Sequence, residues 1–268
     1  MEAAFIQGTA GRLFTVVHPV AQGDARGCVL FVPPFAEEMN KARRMVNLQA
    51  RRMAAAGYVT MIPDLFGTGD SEGDFGEASW EIWLDDLNHC LDALRQRWDA
   101  PLIFWGLRTG CLLLSDLLQQ NEDLRPQATL FWQPVTQGER FLTQFLRLRM
   151  ASGMMGGNKE TTGVLKGRLD AGEDLEIAGY RLSSRLARSL SKAELNPPKS
   201  GTIIWLEVLS SGMDELPAIS QKRLAEWSGQ GFHVVPRSVL GDPFWTSHDI
   251  CEVPALLDET LRCLDEVA

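Results

Sequence analysis

Pro101-Leu-Ile-Phe-Trp-Gly106-Leu107-Arg108-Thr109-Gly110-Cys-Leu-Leu-Leu-Ser-Asp-Leu-Leu118 reads as a short buried strand, a tight turn and a buried helix. The two glycines stand where a GxSxG turn needs them: small residues two before and two after the central position let the chain pass close to its neighbours. The centre is Arg108 rather than serine. A bare GxxxG pair is common by chance, so the reading rests on its context.

That context alternates. Phe5–Gln7 and Leu13–His18 flank Gly8-Thr-Ala-Gly11 and predict an opening antiparallel hairpin. Cys28-Val-Leu-Phe-Val32 is an apolar run of buried-strand length closed by Pro33-Pro34, followed by a helix over Asn40–Ala56 that Gly57 ends as a C-cap. Tyr58-Val-Thr-Met-Ile62 is a strand, Pro63 to Gly73 a turn-rich loop, and Ser79–Trp98 a helix with Ser79 as N-cap. After the central turn, Ala128–Gln133 is another buried strand. Residues 136–200 then break the pattern with helical stretches at Phe141–Met150 and Tyr180–Leu190, joined by the Gly-rich Ser152–Asn158. Alternation resumes with Thr202–Val208, a helix from about Leu216 to Trp227, Phe232–Val235 and a last helix over Val253–Val267. Repeated strand and helix units predict an α/β protein, its mostly parallel central sheet covered by helices on both faces. Residues 1–135 and 201–268 form that core, and 136–200 an inserted helical cap or lid.

The insertion is chemically distinct from its host. It holds 11 Lys+Arg against 7 Asp+Glu, whereas the rest of the chain holds 15 against 28. A net charge of -9 excludes a general nucleic-acid binder, which needs a basic face to neutralise phosphates. The five cysteines have no paired spacing and read as reduced core thiols. No cluster has metal-ligand spacing, the glycine loop at Gly67–Gly73 fits no nucleotide motif, and no cofactor is implied. The start lacks the basic and apolar regions of a signal peptide and no apolar stretch is long enough to span a membrane, so a cytoplasmic location is expected.

Asp64-Leu-Phe-Gly67-Thr-Gly69-Asp-Ser71-Glu-Gly73, lying between the first core strands and the Gly106–Gly110 turn, resembles the D-x-x-G-x-G-x-S-x-G string of the α/β-hydrolase superfamily. The order of elements along nearly the whole chain is similar too. More narrowly, Val32-Pro-Pro-Phe-Ala-Glu-Glu-Met-Asn-Lys41, the Gly-Leu-Arg turn and Gln144-Phe-Leu-Arg-Leu-Arg149 resemble the exosortase A system-associated hydrolase 2 family. That resemblance implies an α/β-hydrolase fold and a setting in bacterial gene clusters for exopolysaccharide production and surface-protein sorting. It implies no particular reaction.

In a working member the elbow residue attacks a carbonyl, a histidine takes its proton, an acid orients the histidine and two backbone N–H groups hold the oxyanion. The resemblance places Asp214, in Ser211-Gly-Met-Asp-Glu-Leu-Pro217, at the acid position and His248, in Asp242-Pro-Phe-Trp-Thr-Ser-His248, at the base position. The alternatives are a helix cap for Asp214 and a surface histidine at a helix start for His248, and Glu207 is a weaker candidate for the acid. Pro33 and Pro34 have no N–H, so Phe35 is the earliest donor in its loop, and Thr109 N–H would complete an oxyanion pair. A rigid loop with no such role is the competing reading.

Arg108 cannot be a nucleophile: its guanidinium stays protonated and has neither hydroxyl nor thiolate. At a helix N-terminus it also opposes the dipole, at a cost of roughly 0.3–1 kcal/mol unless an anion offsets it. Glu37, Glu38 and Asp214 are internal candidates for that anion, and a bound carboxylate or phosphate is the external one. Thr109, Cys111 and Ser71 are poor substitutes for the missing serine. In Tyr180–Leu190 the leucines at 182, 186 and 190 repeat every fourth residue beside Arg181, Arg185 and Arg188, the pattern of a cap helix packed on its own domain or of a face meeting a membrane surface or a lipid-phosphate ligand.

Three functions fit these residues. The first is an α/β-hydrolase-like protein that has lost serine chemistry and binds an anionic, acyl- or saccharide-linked small ligand through Arg108, Phe35, Thr109, Glu37 and Glu38. The second is a hydrolase or acyltransferase of unusual mechanism in which Asp214 and His248 activate water. The third is a non-catalytic partner of an export machinery.

Overall fold

A computed structural model describes residues 1–20, 22–155, 160–210, 212, 215–247 and 249–267, with the backbone alone at 151–155. Its elements are, in chain order, β1 Glu2–Gln7, β2 Arg12–His18, β3 Gly27–Val32, α1 Glu37–Ala55, β4 Tyr58–Pro63, α2 Trp80–Arg97, β5 Leu102–Leu107, α3 Gly110–Gln120 and β6 Ala128–Trp132. There follow α4 Gly138–Met155, α5 Thr162–Asp170, β7 Leu175–Ile177, β8 Tyr180–Leu182, α6 Ser184–Lys192, β9 Thr202–Leu209, α7 Ala218–Gly229, β10 Val234–Leu240 and α8 Pro254–Val267. This is the α/β-hydrolase fold.

One eight-stranded sheet runs β1-β2-β4-β3-β5-β6-β9-β10. The opening hairpin is antiparallel and joins β4 antiparallel, while every pair from β4 to β10 is parallel. Every residue of β3, β4, β5 and β6 is buried, as continuous apolar runs demand of strands covered on both faces. The covering makes two cores. Leu87, Leu91, Leu113, Leu117 and Trp227, from α2, α3 and α7, pack with Phe104 and Phe131 on one face, and Met45, Met53, Leu257 and Leu264, from α1 and α8, pack with Trp105 and Trp132 on the other.

The structure departs from the sequence-based expectations at several places. α1 starts at Glu37 rather than Asn40, so Glu37 and Glu38 sit in its first turn, where the helix dipole favours negative charge. β10 extends to Leu240, with an alternating burial pattern suited to an edge strand. Tyr180–Leu182 is a strand, not the start of a helix. Ala178 and Gly179, with φ of 50° and 85°, close a two-residue hairpin between β7 and β8, and α6 begins at Ser184 under a Ser183 cap whose hydroxyl accepts from Leu186 N–H at 3.2 Å. Periodicity alone misses this, because the leucine spacing runs unbroken through the hairpin exit.

The elements from α4 to α6 lie between β6 and β9 and add no strand to the main sheet. Leu182, Leu186 and Leu190 are all fully buried, so that stripe faces the protein's own interior. Two of the neighbouring cations are paired, Arg181 with Asp174 at 3.0 Å and Arg185 with Glu81 at 3.1 Å, and Arg188 donates to the Ser184 carbonyl at 3.2 Å.

Candidate functional site

The turn after β5 is built by two close approaches. A Cβ at Gly110 would lie 2.2 Å from the Val32 carbonyl oxygen, and one at Gly106 would lie 2.9 Å from Cys111 Cα, so both positions require glycine. Between them Arg108 has φ of 56°. Its N–H donates to the Trp132 carbonyl at 3.0 Å, and its own carbonyl accepts from Cys111 and Val135 N–H at 3.1 and 3.2 Å. The turn is therefore a tight strand-to-helix bend with a left-handed residue at its centre, and it presents a guanidinium at its apex.

Positive-φ residues other than glycine gather here. Ala36, Arg108 and Gln133 follow β3, β5 and β6 at their C-terminal ends, and Ala178 lines the cavity described below; these four are the only such residues among those described. Such conformations cost of order 1–3 kcal/mol each and collect where a site over-determines the backbone. The C-terminal edge of a parallel sheet is also where α/β folds place ligands.

The anion beside Arg108 is the Glu38 carboxylate. Arg108 Nε donates to both Glu38 oxygens at 3.2 and 3.3 Å, and Nη2 donates to Oε1 at 3.1 Å. The side chains keep only 17% and 15% of their surface exposed. Burial pushes the Glu38 carboxyl above the ordinary carboxylate range, against the opposing pull of Arg108. The Trp245 ring lies 5.3 Å from the Arg108 guanidinium carbon, within cation–π range. Glu37 is placed differently: its Oε2 accepts from Tyr180 hydroxyl at 3.0 Å and Asn40 amide at 3.2 Å, tying the β7–β8 hairpin to α1. Burial, and then the hydrogen bond to Glu37, push the Tyr180 phenol up to about 12.

The Phe35 N–H donates to the Thr109 hydroxyl at 2.9 Å. Its ring sits edge-on against Phe75, Trp83, Phe141 and Phe145 at 5.2–5.9 Å. The loop is thus locked to the turn, and the Phe35 amide expected to help hold an oxyanion is engaged by the Thr109 hydroxyl. Asp214 and His248 lie outside the described residues. Glu207 is buried in β9, where Oε1 accepts from Trp205 indole N–H at 2.7 Å and Oε2 from Gln133 amide at 3.4 Å.

Other nucleophiles are disfavoured on geometry. Cys111 is fully buried, and that burial holds its thiol well above the ordinary range. The Ser71 hydroxyl donates to Asp64 carbonyl at 2.6 Å and accepts from Phe14 N–H at 2.8 Å. Its loop is a scaffold, closed by Arg43 and Asp70 N–H donating to the Asp64 carboxylate. Among the described residues no group of three His, Cys, Asp or Glu side chains could hold a metal, and no helix is long and apolar enough to cross a membrane.

A cavity of about 460 Å³ opens over the Arg108–Glu38 pair. Phe35, Phe141, Phe145, Leu148 and Trp245 supply apolar walls, while Glu37, Glu38, Lys41, Arg108 and Gln144 make the polar part. Lys41 Nζ donates to the Thr246 carbonyl at 3.0 Å, joining α1 to the loop before residue 248. Sequence reasoning missed Lys41, Trp245 and the aromatic wall. Phe141, Phe145 and Leu148 sit at i, i+4 and i+7 along α4, a signal that was present, but their facing surface depends on how α4 docks.

The family model described as serine aminopeptidase, S33 (Hydrolase_4) matches residues 23–166. No curated protein matches the chain. Among solved structures, Est1E from Butyrivibrio proteoclasticus with bound ferulic acid is similar at 14% identity, with 98% of each chain covered and a TM-score of 0.71. GrgF, an alpha/beta hydrolase from Penicillium sp. sh18, is similar at 15% identity over 99% of this chain and 98% of its own, with a TM-score of 0.60. XC6422 from Xanthomonas campestris, a serine hydrolase without a lid, is similar at 13% identity over 99% and 92%, with a TM-score of 0.58. At these identities the likeness is one of fold.

Proposed function

The chain belongs to the serine aminopeptidase S33 family of α/β-hydrolases, and from that premise we propose that it is a binding protein on a hydrolase frame, without acyl-enzyme chemistry. Its ligand is a small molecule with an acyl, aryl or saccharide-linked body and an anionic group, held in the cavity over Arg108. The observation that carries this reading is the occupied elbow apex: a guanidinium fills the nucleophile position and is paired with Glu38. The volume of about 460 Å³ and the aromatic walls suit a compact apolar body, since ligand pockets commonly span about 300–1,000 Å³. Lys41 and Arg108 provide positive charge at the polar side. The resemblance of the Val32–Lys41 segment, the elbow and Gln144–Arg149 to the exosortase-associated hydrolase 2 family supports a role in exopolysaccharide or surface-protein export, with the ligand a component or precursor of that chemistry.

The test pairs turnover with binding. Purified protein should neither hydrolyse short p-nitrophenyl esters nor be labelled by a fluorophosphonate, yet decanoate should change its tryptophan fluorescence saturably. Ester hydrolysis at an ordinary serine-esterase rate would refute the proposal, as would the absence of decanoate binding.

A further inference from the structure

The cavity's polar side is charge-balanced. Among the described residues its ionised groups are Glu37, Glu38 and Lys41 from α1 and Arg108 from the elbow: two negative and two positive. From β8, the Tyr180 hydroxyl donates to Glu37 and accepts from the Asn40 amide; the lining residues of α4 and of the 245–246 loop carry no charge. Arg108 turns its Nε and Nη2 edge to Glu38, whereas among the described residues Lys41 has no carboxylate within ion-pair reach and donates to the Thr246 carbonyl.

An incoming carboxylate meets a choice set by these contacts. If it takes the guanidinium, Glu38 loses the one cationic hydrogen-bond partner it has among the described residues and remains mostly buried beside a second negative charge. Two carboxylates sharing one cation cannot both stay ionised cheaply, and one of them takes up a proton. Glu38 is the group prepared for it, because burial already raises its proton affinity and only Arg108 and, more weakly, Lys41 restrain it. Glu37 is exposed and keeps its hydrogen bonds to Tyr180 and Asn40.

Resting on the binding role proposed above, we infer that Glu38 is an exchangeable internal occupant of Arg108: a ligand carboxylate displaces it from the guanidinium, and Glu38 takes up a proton from solution as the ligand binds. The site then selects acidic amphiphiles over their esters and alcohols, and it releases them as pH rises. Glu38 is a positioning and coupling residue in this scheme, and it forms no covalent bond.

The experiment is calorimetric titration with decanoate between pH 6 and 8.5, in two buffers of different ionisation enthalpy, on the wild-type protein and on Glu38→Gln and Lys41→Met. Decanoate is ionised throughout this range. The expected result is uptake of about one proton per decanoate and an affinity that falls about tenfold per pH unit in the wild type. Glu38→Gln should bind decanoate with no proton uptake and a flat pH profile, and Lys41→Met should retain the coupling. Binding without proton uptake in the wild type overturns the exchange, as does uptake unchanged in Glu38→Gln. Loss of binding in Lys41→Met with no uptake in the wild type would place the anion on Lys41 instead. Failure of decanoate to bind the wild type at any pH refutes the binding role itself, a separate outcome. Should Glu38→Gln fail to unfold cooperatively, the two-buffer measurement on the wild type decides alone.

Discussion

Replacing Arg108 and Glu38 by methionine, singly and together, tests whether the pair is a coupled part of the interior or a screened surface contact. The three N–H···O contacts span 3.1–3.3 Å and the side chains keep 17% and 15% exposure. That places the pair between exposed pairs, worth about 0–1 kcal/mol, and fully buried ones, whose breaking costs about 3–5 kcal/mol. Each single substitution should therefore destabilise by about 2 kcal/mol, chiefly because the remaining charge is left without its partner. Glu38→Met loses a further 0.3–1 kcal/mol or so, since Glu38 stands in the first turn of α1. The strain at position 108 does not enter, because methionine bears the same left-handed backbone as arginine. The double variant should lie within about 1 kcal/mol of wild type, giving a coupling energy of about 3 kcal/mol. Urea unfolding at pH 7, followed by tryptophan fluorescence, reads all four proteins. Additive single effects, with the double variant about 4–5 kcal/mol less stable, would refute the argument.

Gly110→Ala should prevent folding, because its Cβ would overlap the Val32 carbonyl at 2.2 Å, whereas Gly167→Ala in α5 meets nothing within 4 Å and should be neutral or stabilising by up to about 1 kcal/mol; soluble yield and thermal unfolding distinguish them. Burial pushes Asp86 up to about 6, and among the described residues its Oδ1 has no hydrogen-bond partner. A raised folded value means that its contribution to stability is complete below the unfolded value of about 3.9 and is lost as pH rises through about 6. Asp86→Asn should exceed wild type by up to about 3 kcal/mol at pH 8, with the gap closing towards pH 4; a gap independent of pH in urea titrations would contradict this. All five thiols are raised, but Cys28, Cys90, Cys111 and Cys263 are buried and Cys251 is half-buried, so Ellman's reagent should modify native protein at Cys251 only, and all five thiols after unfolding. Rapid modification of a second thiol in the native state would contradict the burial.

Much of the fold was legible because its signals are local. The apolar runs of β3 to β6, the glycines at 106 and 110 and the N-cap at Ser79 each act within a few residues of themselves. The β7–β8 hairpin was not, since Ala178 takes a positive φ that its side chain does not advertise. At the site, Arg108 could be placed at the turn apex by spacing alone. Its partner could not be chosen: Glu37 and Glu38 are adjacent in sequence, and only the start of α1 at Glu37 sends one to the Tyr180 hydroxyl and the other to the guanidinium.

Sequence alone determined that this chain folds as an α/β-hydrolase and that arginine stands at the centre of the Gly106–Gly110 turn, because both follow from residue identity and short-range spacing. Tertiary structure decided what the arginine does. Contacts across 70 residues of chain bring Glu38 to it, and the docking of α4 and of the 244–246 loop sets Phe145 and Trp245 around it. Charge pairing and burial depend on distances between segments remote in sequence, and those distances exist only once the sheet is assembled.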